Sequence, residues 1–317
     1  MPANSPLAKV DVLAVGPNSV LQKSLRFAQL KTGGINRAQS LTVGPGGKGY
    51  HFALAADIVR PGSAAVAHFI GGQNGRQIAE QIEEMGLPEL QTPIAGESRT
   101  CITLLDDGSG DMTELIEPSP DISPSEAANL SLQISVIMPR LRGLALCGTT
   151  PPGCGDRFYA ELAESANADA LVLLDGYKGV EDILATGRVD ILKINLHELA
   201  ELSGETEPQA AADWMFANAA IRYLALTDGP DSAHLFADSA HWRFELPTVD
   251  DVVNPIGAGD TVGAVLLQGL LAGDLPAEAF QLGLAAASAS CRSIHGARFT
   301  LDEARSLAAQ IHCEKLA

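Results

Sequence analysis

Val189-Asp190-Ile191-Leu192-Lys193-Ile194 is an aliphatic, β-branched run, and after Asn195 it gives way at once to a segment of helical spacing, His197–Leu202. A strand that feeds directly into a helix is the repeating unit of an α/β fold. The same alternation recurs on both sides of this stretch. Further strand-like runs lie at Val10–Val15, Ala65–Ile70, Leu144–Cys147, Ala170–Leu174 and Arg222–Leu226, and they are separated by helical patterns at Gly49–Val59, Gly75–Met85, Asp156–Ala166 and Pro208–Ala219. The spacing predicts one α/β domain across residues 1–317, with a mostly parallel sheet covered by helices on both faces. Ligands of such sheets gather at the carboxyl ends of the strands, where Gly44–Gly49, Asn195 and Gly257–Asp260 all fall.

Two stretches break the alternation. Ser24–Val43 and Ser98–Ile116 carry a period of two, with turn signals at Thr32-Gly33-Gly34 and Asp106-Asp107-Gly108-Ser109-Gly110. They predict a small discontinuous β-lid, from about residues 22–43 and 98–118, over the edge of the main sheet. Loops long enough to fold in this way more often serve a function than decorate a surface. The proline-rich segment Glu117–Pro124 reads as the return from lid to core.

Composition removes several classes of function. The chain has 317 residues, 39 of them acidic against 21 basic, for a formal charge of −18. Such a surface repels nucleic acid and anionic membranes, so a phosphorylated ligand would need a local cluster of cations. The five cysteines, Cys101, Cys147, Cys154, Cys291 and Cys313, show no zinc spacing, and their odd number fits a reducing compartment such as the cytoplasm. Met1–Lys9 lacks the pattern of a secretory leader, and no apolar run reaches the roughly 18 residues a membrane span requires.

The chemistry concentrates in Val252-Val253-Asn254-Pro255-Ile256-Gly257-Ala258-Gly259-Asp260, ahead of the apolar run Val262–Leu271. It reads as a β-branched strand joined to a helix by a glycine turn. Gly257 and Gly259 permit close backbone approach, and the free amides and positive dipole of the first helical turn make an anion hole. Asp260 places a proton acceptor beside that hole, as phosphoryl transfer to a hydroxyl requires. An ordinary helix start would use the same residue types. Gly44-Pro45-Gly46-Gly47-Lys48-Gly49 matches the positions of the dinucleotide fingerprint G-x-G-x-x-G. The next strand, however, ends His68-Phe69-Ile70-Gly71-Gly72, without the acidic residue that fingerprint needs. No P-loop signature and no protein-kinase elements occur.

Three segments taken together, Gly46-Gly47-Lys48-Gly49, Lys193–Leu199 and Gly257-Ala258-Gly259-Asp260-Thr261, resemble the ribokinase-like (PfkB) carbohydrate kinases. Gly33–Arg37, Gly96-Glu97-Ser98-Arg99, Glu117-Pro118-Ser119-Pro120 and Cys147–Gly153 are similar to the phosphofructokinase branch of that family, and the resemblance runs in order from about Val12 to about Arg298. It implies a ribokinase-like fold with a β-lid, and ATP- and Mg²⁺-dependent phosphorylation of a sugar or sugar phosphate. It also implies a homodimer formed through the lid. Position by position, Asp260 matches the family's base, and Gly257, Ala258 and Gly259 match its anion hole. Asn195 and Glu198 match an N-x-x-E motif that organises Mg²⁺ through water; spacing alone fits a helix cap as well. Lys193, Asn195, Thr227 and Gly229 match nucleotide-contacting positions, with Ser232 where a second glycine is usual.

Arg99, Gly47 and Lys48 match positions that hold the acceptor and its phosphate. Three other positions depart from the family. Gln22 replaces an aspartate that accepts bonds from sugar hydroxyls, His51 replaces an asparagine, and Cys101 replaces another. Gln22 and His51 are expected to contact the acceptor, and such exchanges can redirect specificity. The same departures leave open a non-catalytic binding or regulatory protein with a drifted sugar site, against which stands the retained pairing of Asp260 with its glycine turn.

Overall fold

The computed structural model describes residues 6–230, 232–237 and 239–316. From the N-terminus the elements run β1 (Val12–Val15), β2 (Val20–Phe27), β3 (Ser40–Gly46), α1 (Lys48–Val59), β4 (Ala64–Ile70), α2 (Gly72–Glu84), β5 (Glu89–Pro93), β6 (Arg99–Asp106) and β7 (Met112–Ile116). They continue with α3 (Pro124–Ile137), β8 (Gly143–Cys147), α4 (Phe158–Ser165), β9 (Leu171–Asp175), α5 (Glu181–Ala185), β10 (Ile191–Asn195), α6 (Leu196–Ser203) and α7 (Pro208–Asn218). The last third adds β11 (Tyr223–Asp228), β12 (Ser232–Ala237), β13 (Ala240–Glu245), α8 (Ala258–Ala272), α9 (Pro276–Ser290), α10 (Leu301–Ala308) and β14 (His312–Lys315).

Ten strands form the main sheet in the order β14-β13-β12-β11-β10-β9-β8-β1-β4-β5. From β11 to β5 every pairing is parallel, and the other three are antiparallel. The central strands β1, β4 and β8 are buried at every residue, as expected of parallel strands with helices on both faces. One apolar cluster packs α3, α4, α6 and α7 beneath the sheet, and a second packs α1, α2, α8 and α9 above it. β1 pairs with β4 on one side and β8 on the other, so the chain reverses its winding there and opens a crevice beyond the strand ends. Gly16, just past β1, lies so near Gly49 of α1 that an added Cβ would sit 2.5 Å from the Gly49 Cα. Among the described residues no helix is long and apolar enough to cross a membrane.

A second sheet of four strands, β3-β2-β6-β7, stands over that crevice. It starts at Val20 and extends through Gly46, beyond the stretch with an obvious period of two. Gly44–Gly46 therefore close a strand of this small sheet rather than follow a strand of the main one. A further correction concerns the entry to α8. Val252 and Val253 form no strand, because the amides of Val253 and Asn254 both donate to the carbonyl of Cys291, at 2.8 and 3.0 Å, and no sheet neighbour runs alongside.

The β12–β13 hairpin carries a buried histidine pair, with His234 Nδ1 2.9 Å from His241 Nε2 and the His241 ring stacked at 4.0 Å on Phe236. Burial, with His241 and Arg243 beside it, pushes His234 down to about 4. Because the folded form resists a proton that the unfolded chain accepts near 6.5, stability is lost as pH falls from about 6.5 to 4. Thermal melts across this window should show Tm falling more steeply for wild type than for His234→Gln. Equal slopes would remove the pair as the cause.

Candidate active site

A cavity of ≈ 560 Å³ lies between the carboxyl ends of β8, β9 and β10, the starts of α1, α6 and α8, and the inner face of the small sheet. Its floor is set by the parallel register, which places Cys147, Asp175 and Lys193 abreast on neighbouring strands.

Asp260 enters from α8. Gly257 caps that helix with φ 81°, a left-handed value that glycine adopts freely, and no side chain closes the cap. The amides of Gly259 and Asp260 have no backbone partner among the described residues, so the helix start presents open donors. Asn254, buried, braces this turn: its Nδ2 donates to the Ile294 carbonyl at 2.9 Å, and its Oδ1 accepts the Ile256 amide at 3.1 Å. Lys193 is buried behind Gly259, where an added Cβ would lie 2.6 Å from the ammonium. A side chain here would displace the ammonium from this position.

Lys48, in the first turn of α1, reaches across the cavity and donates to Asp175 Oδ1 at 2.6 Å. Burial alone would weaken the ammonium, but Asp175, then Asp260 and Glu198, outweigh it and hold Lys48 well above its usual range. Asp175 is 1% exposed. Burial opposes its charge, yet Lys48 and Lys193 together keep it below the ordinary carboxylate range. Asp175 was not among the residues picked from sequence. A carboxylate ending an otherwise aliphatic strand, Leu171–Asp175, at the ligand edge of a parallel sheet is the signal that would have found it.

Asn195 and Glu198 form a reciprocal capping box at the start of α6, with Glu198 N–H donating to Asn195 Oδ1 at 2.8 Å and Asn195 N–H to Glu198 Oε2 at 3.1 Å. Both also line the cavity. The cap and the cavity wall are one and the same structure. Among the described residues no three His, Cys, Asp or Glu side chains gather closely enough to cage a metal. A cation here would be held chiefly through its own waters and a phosphate, the habit of Mg²⁺.

The small sheet supplies the other wall. Gln22, Arg99, Cys101 and Glu114 share its inner face by register. Gln22 Nε2 donates to Thr103 Oγ1 at 2.6 Å, and Cys101 Sγ lies 3.6 Å from Glu114 Oε1. Burial, reinforced by Glu114, pushes the Cys101 thiol up to about 11, so it stays protonated and serves as a weak donor. Glu114 is a second wall residue that sequence did not single out, because β7 shows no buried face. Arg99 is the group left over: its Nε is buried and finds no hydrogen-bond partner, and no carboxylate pairs with it among the described residues.

Of the residues predicted from sequence, Gln22, Gly47, Lys48, His51, Arg99, Lys193, Asn195, Glu198, Gly257, Gly259 and Asp260 converge on this cavity. Ala258 opens α8 just behind the wall. Thr227 and Gly229 do not reach it; Thr227 stands beside Asn195 on the neighbouring strand, and Gly229 lies in the turn beyond. His51 lines the cavity, and its polar contact runs to Asp260, at 3.2 Å.

The chain resembles known proteins along most of its length. The profile of the pfkB family carbohydrate kinases matches residues 18–303. The structure of phosphofructokinase-2 from Escherichia coli in complex with potassium superimposes with a TM-score of 0.85 at 20% identity, over 95% of this chain and 99% of that one. The same enzyme in complex with fructose-6-phosphate gives 0.84 at 21% identity with the same coverage. A ribokinase from Thermotoga maritima gives 0.77 at 20%, again over 95% and 99%.

Proposed function

The chain belongs to the pfkB family of carbohydrate kinases, and from that membership we propose that it transfers the γ-phosphoryl group of ATP, with Mg²⁺, to a hydroxyl of a sugar that already carries a phosphate. The observation that carries the finer reading is Arg99. A half-buried guanidinium without a protein partner is costly unless a ligand anion completes it, and Arg99 faces the same cavity as Asp260. The fructose-6-phosphate complex of the similarly folded Escherichia coli enzyme supports a phosphorylated acceptor of this kind.

The donor set suits the two implied ligands. The open first-turn amides of α8, with Lys193 behind them, fit a terminal phosphate, and the cavity has room for more than that group alone. Glu198 and Asn195 suit a hydrated Mg²⁺. When bound, ATP and Mg²⁺ supply the phosphoryl group and neutralise part of its charge.

The residues then divide the work. Asp260 takes the proton of the attacking hydroxyl as the new P–O bond forms. Little basicity is demanded of it, because bond formation lags in a loose phosphoryl-transfer transition state. The Gly257–Gly259 backbone steadies the oxygens of the moving group, and Lys48 sets a positive charge between the two ends of the reaction.

The small sheet is proposed to act as a lid and a dimer surface. Leu25, Leu41, Ile102, Leu104 and Leu115 share its outer face, with Leu41 57% and Leu115 52% exposed. Exposed apolar patches of this kind mark interaction surfaces, and a second copy presents a matching one. Light scattering at tens of micromolar should give a dimer for wild type and a monomer for the double variant Leu41→Glu, Leu115→Glu. A monomeric wild type would exclude this interface.

The decisive assay couples ADP release to a panel of sugar phosphates, free sugars and nucleosides. Turnover restricted to phosphorylated sugars is expected. Equal or better use of unphosphorylated acceptors would overturn the sugar-phosphate reading, and ATP binding without turnover on any acceptor would overturn the catalytic one.

A further inference from the structure

His51 and Asp260 are both buried, 4% and 5% exposed, and approach each other from different helices with Nδ1 3.2 Å from Oδ2. The imidazole has little freedom to turn elsewhere. A Cβ at Gly257 would lie 3.1 Å from the His51 Cγ, and one at Gly296 would lie 2.9 Å from its Nε2, so the ring is wedged between two glycine backbones. Gly296 lines an adjoining cavity of ≈ 220 Å³ that shares Gln22, His51 and Ile256 with the large one. The Nε2 edge therefore lies on the side of the smaller cavity, opposite the Nδ1 edge that meets Asp260.

We propose that His51 is a positioning residue for Asp260: its Nδ1–H holds Oδ2, so that Oδ1 stays aimed at the acceptor hydroxyl. An ionised carboxylate can only accept, which requires the proton on Nδ1 and leaves Nε2 bare in the neutral ring. The need for such a tether follows from the surroundings. Asp260 has the ammonium of Lys48 in its electrostatic reach and the backbone of Gly259 packed on Lys193, and a carboxylate drawn towards either cation would lose its alignment with a hydroxyl. A donor on the opposite side, fixed by packing, opposes that pull.

The inference rests on the kinase reading, and its test separates the two. With whichever acceptor the panel identifies, His51→Leu should lower kcat about 10- to 100-fold, the scale of a hydrogen bond to a charged group, with KM for acceptor and ATP within about threefold. His51→Asn should recover most of the loss. A raised acceptor KM with kcat preserved would make the ring a substrate contact instead, and equal impairment of the two variants would reduce it to packing. A second measurement is independent of turnover. At pH 8 and without ligand, the ¹⁵N shifts of the His51 ring, assigned by their loss in His51→Asn, should report the Nδ1-protonated tautomer. A proton on Nε2 would overturn the tether whether or not the chain phosphorylates anything, whereas an Nδ1 proton in a chain inactive on the whole panel would leave the tether standing and the kinase reading refuted.

Discussion

Asp260→Asn is expected to lower kcat by roughly 10²–10⁴-fold, the usual contribution of a positioned proton acceptor, while ATP affinity changes little. The substitution keeps the shape of the side chain, and its amide oxygen can still accept from His51, so the turn before α8 should hold its conformation. What disappears is the charge and the ability to take a proton. The anion hole is made of backbone and survives, which is why nucleotide binding should persist. Single-turnover kinetics with saturating ATP would separate the chemical step from binding. Turnover within tenfold of wild type would remove Asp260 from its role, and ATP affinity falling in step with kcat would mean that the loop, not the base, had been damaged.

The parallel core was legible because its strands are buried on both faces and therefore read as aliphatic runs; Ala64–Ile70 and Ile191–Asn195 lie within two residues of their expected bounds. Helix starts at Lys48 and Leu196 were legible for a similar reason, since glycine and asparagine caps act over three or four residues. The β12–β13 hairpin escaped notice because histidine and arginine occupy alternate positions that in other contexts face water. Val252-Val253 misled in the opposite sense. Its β-branched residues favour a strand, but the end of α9 takes up both amides through the carbonyl of Cys291, and tertiary contact overrides local preference.

Within the site the division is one of distance along the chain. The Gly257–Asp260 turn and the Asn195–Glu198 pair are local and could be read directly. Lys48 meets Asp175 across 127 residues and His51 meets Asp260 across 209, and no spacing rule reaches so far. The three departures from the family pattern gain a common physical description from these contacts. Gln22 is tied to Thr103, His51 to Asp260 and Cys101 to Glu114, each by a partner within the protein. Their polar groups are thus partly spent before any acceptor arrives. Recognition of the acceptor must then lean on groups that are not spent, and the inner face of the small sheet offers one cation among them.

That cation is Arg99, and Arg99→Ala is expected to raise KM for a phosphorylated acceptor by about 10- to 100-fold, since a charge-assisted contact to phosphate contributes about 1.5–3 kcal/mol. An unphosphorylated sugar has nothing to lose at this position, so its kcat/KM should stay within about twofold. Arg99→Lys should fall between the two, keeping the charge but not the paired donors of the guanidinium. The same variant yields an opposite expectation for stability. Burial already disfavours the charged form of Arg99, and its Nε has no partner, so truncation should leave Tm unchanged or raise it. A structural arginine would show the reverse pattern, a lower Tm with equal losses on both acceptor classes. That outcome would overturn the clamp, and with it the reason for supposing that the acceptor arrives already phosphorylated.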